Sequence, residues 1–182
     1  MAGILDTFLN LLAHPKKRPE VNTAGLEHLN EKTAHILFAV GEAVLGENFL
    51  PKCPKFIETV DDYLNYQRPS QRDLFITALL IAETRLFNLI TVGNLRGFSH
   101  LSLADRRKVL EKLRSSDREQ SRNIYAAFVN VSASTYYASD LTWPDLGYPG
   151  VSVDHPEILD HPQPTPADPV PWRPEDLRRV EP

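Results

Sequence analysis

The stretch Ser70–Asn94, SQRDLFITALLIAETRLFNLITVGN, is the most apolar segment of the chain, and its nature decides the fold. A run of that length is either a membrane-crossing helix or the central helix of a bundle. Its polar positions, Asp73, Thr77, Thr84, Asn88 and Thr91, form only a narrow stripe, so a helix here must be wrapped on most sides. Glu83 and Arg85 choose between the two readings. Both sit near the middle of the run, where each would cost about 2.5–3.5 kcal/mol at a bilayer centre. The spacing predicts a long bundle helix, with Ser70 and Asp73 as its capping box.

Working outward, Leu26, Leu29, Thr33, Ile36/Leu37, Val40 and Val44 recur every three or four residues, which predicts an amphipathic helix over Thr23–Glu47, punctuated by Gly46 and Pro51. Phe56, Val60, Tyr63 and Leu64 place one face of a second helix inward, before Pro69. After Gly97, a capping box at Ser102 and Asp105 opens a helix that buries Val109, Leu110 and Leu113. A last helix over Glu119–Ala138 turns Ile124, Ala127/Phe128, Val131 and Thr135 inward, with the small run Ser132, Ala133, Ser134 admitting a close neighbour. No segment alternates as a strand does. The expected fold is all-α: a single helical bundle with an extended proline-rich C-terminal arm. The expected organisation is an N-terminal amphipathic helix and linker over 1–22, a helical domain over 23–150 and the arm over 151–182.

A chain of 182 residues can bury one sizeable core, and its 42% hydrophobic content fits a folded domain. The net charge of −4, with Lys and Arg scattered, supplies no basic field for nucleic acid. The single cysteine, Cys53, leaves no internal disulfide, cysteine-based zinc site or iron–sulfur cluster within the chain. The opening MAGILDTFLNLLAHPKKRP places its basic cluster after its apolar residues, the wrong order for a secretory signal. It reads as a surface helix that docks on a partner or, more weakly, on lipid.

Candidate chemical sites are thin. His28, Glu31 and His35 fall at i, i+3 and i+7 of the expected first helix, where a bundle metal site would draw its ligands, but no Glu-x-x-His accompanies them. Asp154–His155–Pro156 and Asp160–His161–Pro162 double a motif with two imidazoles and two carboxylates for one ion, against plain turn chemistry. A metal-dependent bundle enzyme is therefore one rival reading, and a membrane-peripheral interaction protein anchored by residues 1–12 is another. Ser99 and His100 are adjacent, a poor arrangement for nucleophile and base, and no Gly-x-Ser-x-Gly elbow occurs. Asp61 and Asp62 are consecutive on a short helix, so they splay apart. Gly93 and Gly97 end a helix and do not form a phosphate loop.

Aromatic and apolar residues of the last third form the better candidate. Tyr136, Tyr137, Trp143, Leu146, Tyr148 and Pro149 crowd one helix end and the stretch WPDLGYPG, read as a rigid loop. Eight of the fifteen prolines fall in 151–182, where Ile158, Leu159, Val170 and Trp172 are spaced apolar anchors. Burial of such anchors on another chain would offset the entropy of ordering the arm. The expected partner-binding set is Tyr136, Tyr137, Trp143, Leu146, Tyr148, Pro149, Ile158, Leu159 and Trp172.

The segments GFSHLSLADRRKVLEKL, YAAFVNVSASTYYAS and LTWPDLGYPG together resemble the gluconate 2-dehydrogenase subunit 3 family, through Phe98, Leu101, Arg107, Leu110, Phe128, the paired Tyr136–Tyr137, Trp143 and the Gly147–Gly150 turn. The resemblance spans about residues 73–150. It implies a small, non-catalytic gamma subunit that binds and helps mature a large flavoprotein of the glucose-methanol-choline type. FAD and the oxidation of a sugar or other alcohol then belong to that partner, which often passes electrons to a cytochrome subunit. Small subunits of this kind commonly carry a twin-arginine export signal. MAGILDTF has none, so the expected location is the cytoplasm, or the periplasm if the partner carries the signal.

Overall fold

Asn30 starts the first long helix by capping it: its side chain accepts the Thr33 N–H at 3.0 Å while the Thr33 hydroxyl accepts the Asn30 N–H at 2.9 Å. In the computed structural model, which describes residues 7, 9 and 11–147, this helix is α1, Glu31–Leu45, closed by Gly46 at φ 106°. It is followed by α2 (Phe56–Asn65), α3 (Pro69–Glu83), α4 (Arg85–Val92), α5 (Leu103–Arg114), α6 (Glu119–Ala138) and α7 (Trp143–Leu146). Short 3-10 turns lie at Leu50–Lys52, Phe98–His100 and Asp140–Thr142. The described residues contain no strand and are all-α.

The centre of the bundle is α1. Every residue from Thr33 to Ala43 is buried, because α2, α3, α5, α6 and the Phe98–His100 turn all pack on it. The Ser70–Asn94 run, expected to fill that place, is instead two helices bent by 68° at Thr84. Thr84 is extended (ψ 134°), and its hydroxyl donates to the Ile81 carbonyl at 2.7 Å. Asn88, expected on a polar stripe, is fully buried and donates to the carbonyls of Ala82 and Thr84, repairing the break. The start of α3 also differs from expectation: Pro69 occupies its first turn and no side chain caps it. Ser102 does cap α5, accepting the Asp105 N–H at 3.1 Å.

Aromatic rings fill the space beside α1. Phe49 stacks edge-on against Phe56 at 5.0 Å and tilts toward Phe38 at 5.5 Å. A Cβ on Gly41 would lie 2.9 Å from the Phe56 ring, so the missing side chain is what admits it. Phe75 and Phe128 pair α3 with α6. Tyr63, expected to face inward, is exposed, and Ile57 takes the inward place on α2.

The helix expected from Thr23 begins eight residues late, because the backbone before it is claimed from outside. Asp61 on α2 is buried, and its carboxylate accepts the N–H groups of Glu27 (2.7 Å), His28 (3.1 Å) and Leu29 (2.7 Å). Those donors are thereby satisfied without a helix. Residues 13–30 form a strap fixed along its length. The Lys16 N–H reaches Ser99 Oγ at 2.7 Å, the Arg18 N–H reaches His35 Nδ1 at 3.2 Å, and the His14 carbonyl accepts from His100 Nε2 at 2.9 Å. The Arg18 guanidinium meets Glu42 at 2.9 Å, and Glu42 also binds the buried Arg106 at 2.7 Å. Removing the Asp61 acceptor leaves three backbone donors unpaired. Asp61→Ala should therefore cost about 3 kcal/mol or more in urea unfolding, and Asp61→Asn, which keeps one oxygen for His28 and Leu29, should fall between. An alanine variant as stable as the wild type would contradict this assignment.

Candidate partner-binding surface and polar cleft

The end of α6 and the turn after it build the first candidate site. Tyr136 is half-buried against the core, and its ring meets that of Tyr137 edge-on at 5.4 Å. Thr142 Oγ1 donates to the Ser139 carbonyl at 2.7 Å, and Ser139 Oγ donates to the Lys52 carbonyl at 2.6 Å, so the turn is tied to the bundle. Lys52 and Asp145 form an ion pair that holds α7 to the same place. The stretch opening WPDL is thus a short helix and not the expected loop. Trp143 is half-buried and donates Nε1–H to the Tyr137 carbonyl at 3.2 Å.

This fixed shelf exposes apolar surface. Tyr137, Leu141 and Leu146 are 51%, 52% and 54% exposed. Of the expected partner-binding residues, the structure brings together Tyr136, Tyr137, Trp143 and Leu146. Tyr148, Pro149, Ile158, Leu159 and Trp172 lie outside the described residues. Leu141 belongs to the shelf but was missed, since a lone leucine between Asp140 and Thr142 carries no pattern of its own.

A second site is polar. A cleft of about 410 Å³ is lined by His14, Glu83, Arg85, Arg96 and His100, with Leu12 and Leu95 beside them. Glu83 is buried at its base and accepts the Ser99 N–H and O–H, both at 2.8 Å. Its carboxyl presses against the Gly97 α-carbon so closely that a Cβ there would overlap it. Burial pushes the Glu83 carboxyl above the ordinary glutamate range, against the opposing pull of the Ser99 hydrogen bonds. Ser99 and His100 therefore serve different partners, Glu83 and the strap, and do not form a nucleophile–base pair.

The other sequence candidates separate likewise. His28 precedes the Asn30 cap and donates Nε2–H to Asn65 Oδ1 at 2.6 Å, Glu31 pairs with Lys17 at 2.6 Å, and His35 accepts from the strap. Burial lowers the His35 imidazole below its usual value. The one-face arrangement at i, i+3 and i+7 fails because His28 is not helical. No cluster of three or more His, Cys, Asp or Glu placed for a metal occurs among the described residues, and His155 and His161 lie outside them. Asp62 is exposed while Asp61 is buried, so those two do splay apart.

The raised Glu83 carboxyl gives a pH signature. Its folded value exceeds its unfolded one, so its contribution to stability is whole below the unfolded value, about 4.3, and is lost as pH rises through the folded one. The stability of the wild type relative to Glu83→Gln should therefore fall as pH is raised from about 4 toward neutrality. A pH-independent difference in urea midpoints would contradict it. Comparison with protein-family models, curated proteins and solved structures finds no match for this chain.

Proposed function

We propose that this chain is a non-catalytic small subunit that binds, stabilises and helps mature the large subunit of an FAD-dependent sugar or alcohol dehydrogenase of the glucose-methanol-choline type. The observation that carries the reading is the shelf at the end of α6, where Tyr137, Leu141 and Leu146 are presented on a turn already locked by Trp143, Thr142 and Ser139. Binding through such a shelf loses little conformational entropy, because its backbone is ordered beforehand. Tyrosine and tryptophan are the residue types on which protein interfaces concentrate their energy. The family resemblance through Phe98, Phe128, Tyr136, Tyr137 and Trp143 supplies the partner's identity.

In this reading FAD and the chemistry reside in the partner, and a cytochrome subunit completes the electron path in complexes that have one. The arm over 151–182 extends the contact through Ile158, Leu159 and Trp172, and the complex works in the cytoplasm unless its partner carries an export signal.

Affinity purification of the tagged full-length chain from its native cells tests this. The expected result is a near-stoichiometric companion carrying bound FAD, recovered at least tenfold less with Tyr137→Ala/Leu146→Asp and unchanged with Glu31→Ala. A chain that is stable alone and yields the same flavin-free material with either variant would overturn the proposal, as would turnover of an alcohol by this chain alone.

A further inference from the structure

The short helix α4 is amphipathic in a way the bundle does not use. It attaches to the core through Phe87, Asn88 and Val92, while Leu86, Leu89 and Ile90, at i, i+3 and i+4, face away. Leu86 and Ile90 are 66% and 75% exposed, and Leu95 just beyond is 63% exposed. The bend at Thr84 is responsible: α3 spends Phe75, Ala78, Leu79, Leu80 and Ala82 on the core, whereas α4 turns its leucines out of it.

The charges beside this ridge that lack an opposite partner are of one sign. On one flank, Arg85 and Arg96 line the cleft together with Leu95 and Leu12. On the other, Lys108 and Lys112 share a hollow with Leu89 and Ile90. Lys108 is paired with Asp105 at 2.9 Å, and the one acid of the hollow, Glu111, is held by Arg114 at 2.9 Å. Glu83 is buried against Ser99. Arg85, Arg96 and Lys112 thus have no acidic partner among the described residues. The chain's net charge of −4 does not cancel this local field, because charges farther than a Debye length of about 8 Å are largely screened at physiological salt.

From these observations we infer that the α4 face, Leu86, Leu89, Ile90 and Leu95 with Arg85, Arg96 and Lys112 around them, is a docking surface for an anionic phospholipid bilayer. Aliphatic side chains enter the headgroup–acyl boundary while flanking cations meet lipid phosphates, the division of labour of a helix lying in the interface. The composition favours lipid over protein. The ridge has no aromatic residue among its four exposed members, whereas leucine is under-represented among the residues that dominate protein interfaces. No single described helix is long and apolar enough to cross a bilayer; α3 and α4 reach that length only together, across a 68° bend, and α3 spends its apolar face on the core, so the contact inferred is peripheral. It does not depend on the flavoprotein reading, which uses the other shelf.

Vesicle co-sedimentation of the full-length chain tests the surface. Vesicles of phosphatidylcholine with phosphatidylglycerol should bind it at low salt, and phosphatidylcholine alone should bind it at least tenfold less. Raised salt should weaken the first. Leu86→Asp/Ile90→Asp should abolish sedimentation, and Arg85→Glu/Arg96→Glu should remove the preference for anionic lipid. Leu74→Asp, at an equally exposed leucine on α3, should change nothing, and an unaltered circular dichroism melt confirms that each variant folds. Absence of sedimentation with either vesicle would overturn the inference. So would binding that ignores lipid charge and the arginine variants, or a Leu86→Asp/Ile90→Asp variant that binds vesicles as the wild type does.

Discussion

The constraint on which the structure rests is that residues 13–30, an irregular strap lying on a helical bundle, must place their backbone polar groups somewhere other than in a helix. A buried N–H without a partner costs on the order of 1–3 kcal/mol, and several such groups would exceed the stability of a typical domain. Side chains of the bundle supply the partners: Ser99 for Lys16, His35 for Arg18 and Asp61 for Glu27, His28 and Leu29, with His100 donating in return to the His14 carbonyl. Few of these groups would make sense as core residues by themselves. Together they explain why a helical interior contains Asp61 and His35, while Glu83 accepts from the Ser99 hydroxyl that Lys16 uses.

The same logic fixes the centre. A helix buried from Thr33 to Ala43 would be expected to carry only apolar side chains, yet α1 holds Glu42 between Arg18 of the strap and Arg106 of α5. Replacing Glu42 would strand two guanidiniums, whereas in the intact set both Arg18 and Arg106 pair with its carboxylate and Arg106 also bonds the Ala39 and Leu101 carbonyls. These polar residues are consumed by architecture. What the fold leaves available is surface: the shelf beside Trp143, the ridge of α4, and a groove of about 380 Å³ between α2, α3 and α6, with Leu64, Phe75 and Ile124 in its wall and Gln67, Gln71, Gln120, Asn123 and Asn130 at its rim.

Much of the helical plan was legible because period and caps are local. The bounds of α6 match the expected Glu119–Ala138, and Ser102 caps α5 as its spacing suggested. Other features were not legible, because particular side-chain contacts override the apolar rhythm. Leu26 and Leu29 continue the rhythm of α1, but Asp61 takes the donors a helix would use. The Ser70–Asn94 run reads as one helix, but Asn88 folds back onto the carbonyls that a break exposes. Gly97 looked like a helix terminator, while its role is to let the Glu83 carboxylate approach. Leu86, Leu89 and Ile90 look like core until the bend turns them outward. In the candidate partner surface, Tyr137 and Leu146 were found by composition, and Leu141 only by placement.

Native-state amide hydrogen exchange tests the strap most directly, because it reads the backbone donors one by one. If side-chain acceptors hold the strap as described, the amides of Lys16, Arg18, Glu27, His28 and Leu29 exchange slowly, with protection approaching that of Ile36 and Val40 in α1, while Asn22 and Gly25 exchange fast. Uniformly fast exchange across residues 13–30, beside a protected α1, would contradict the account.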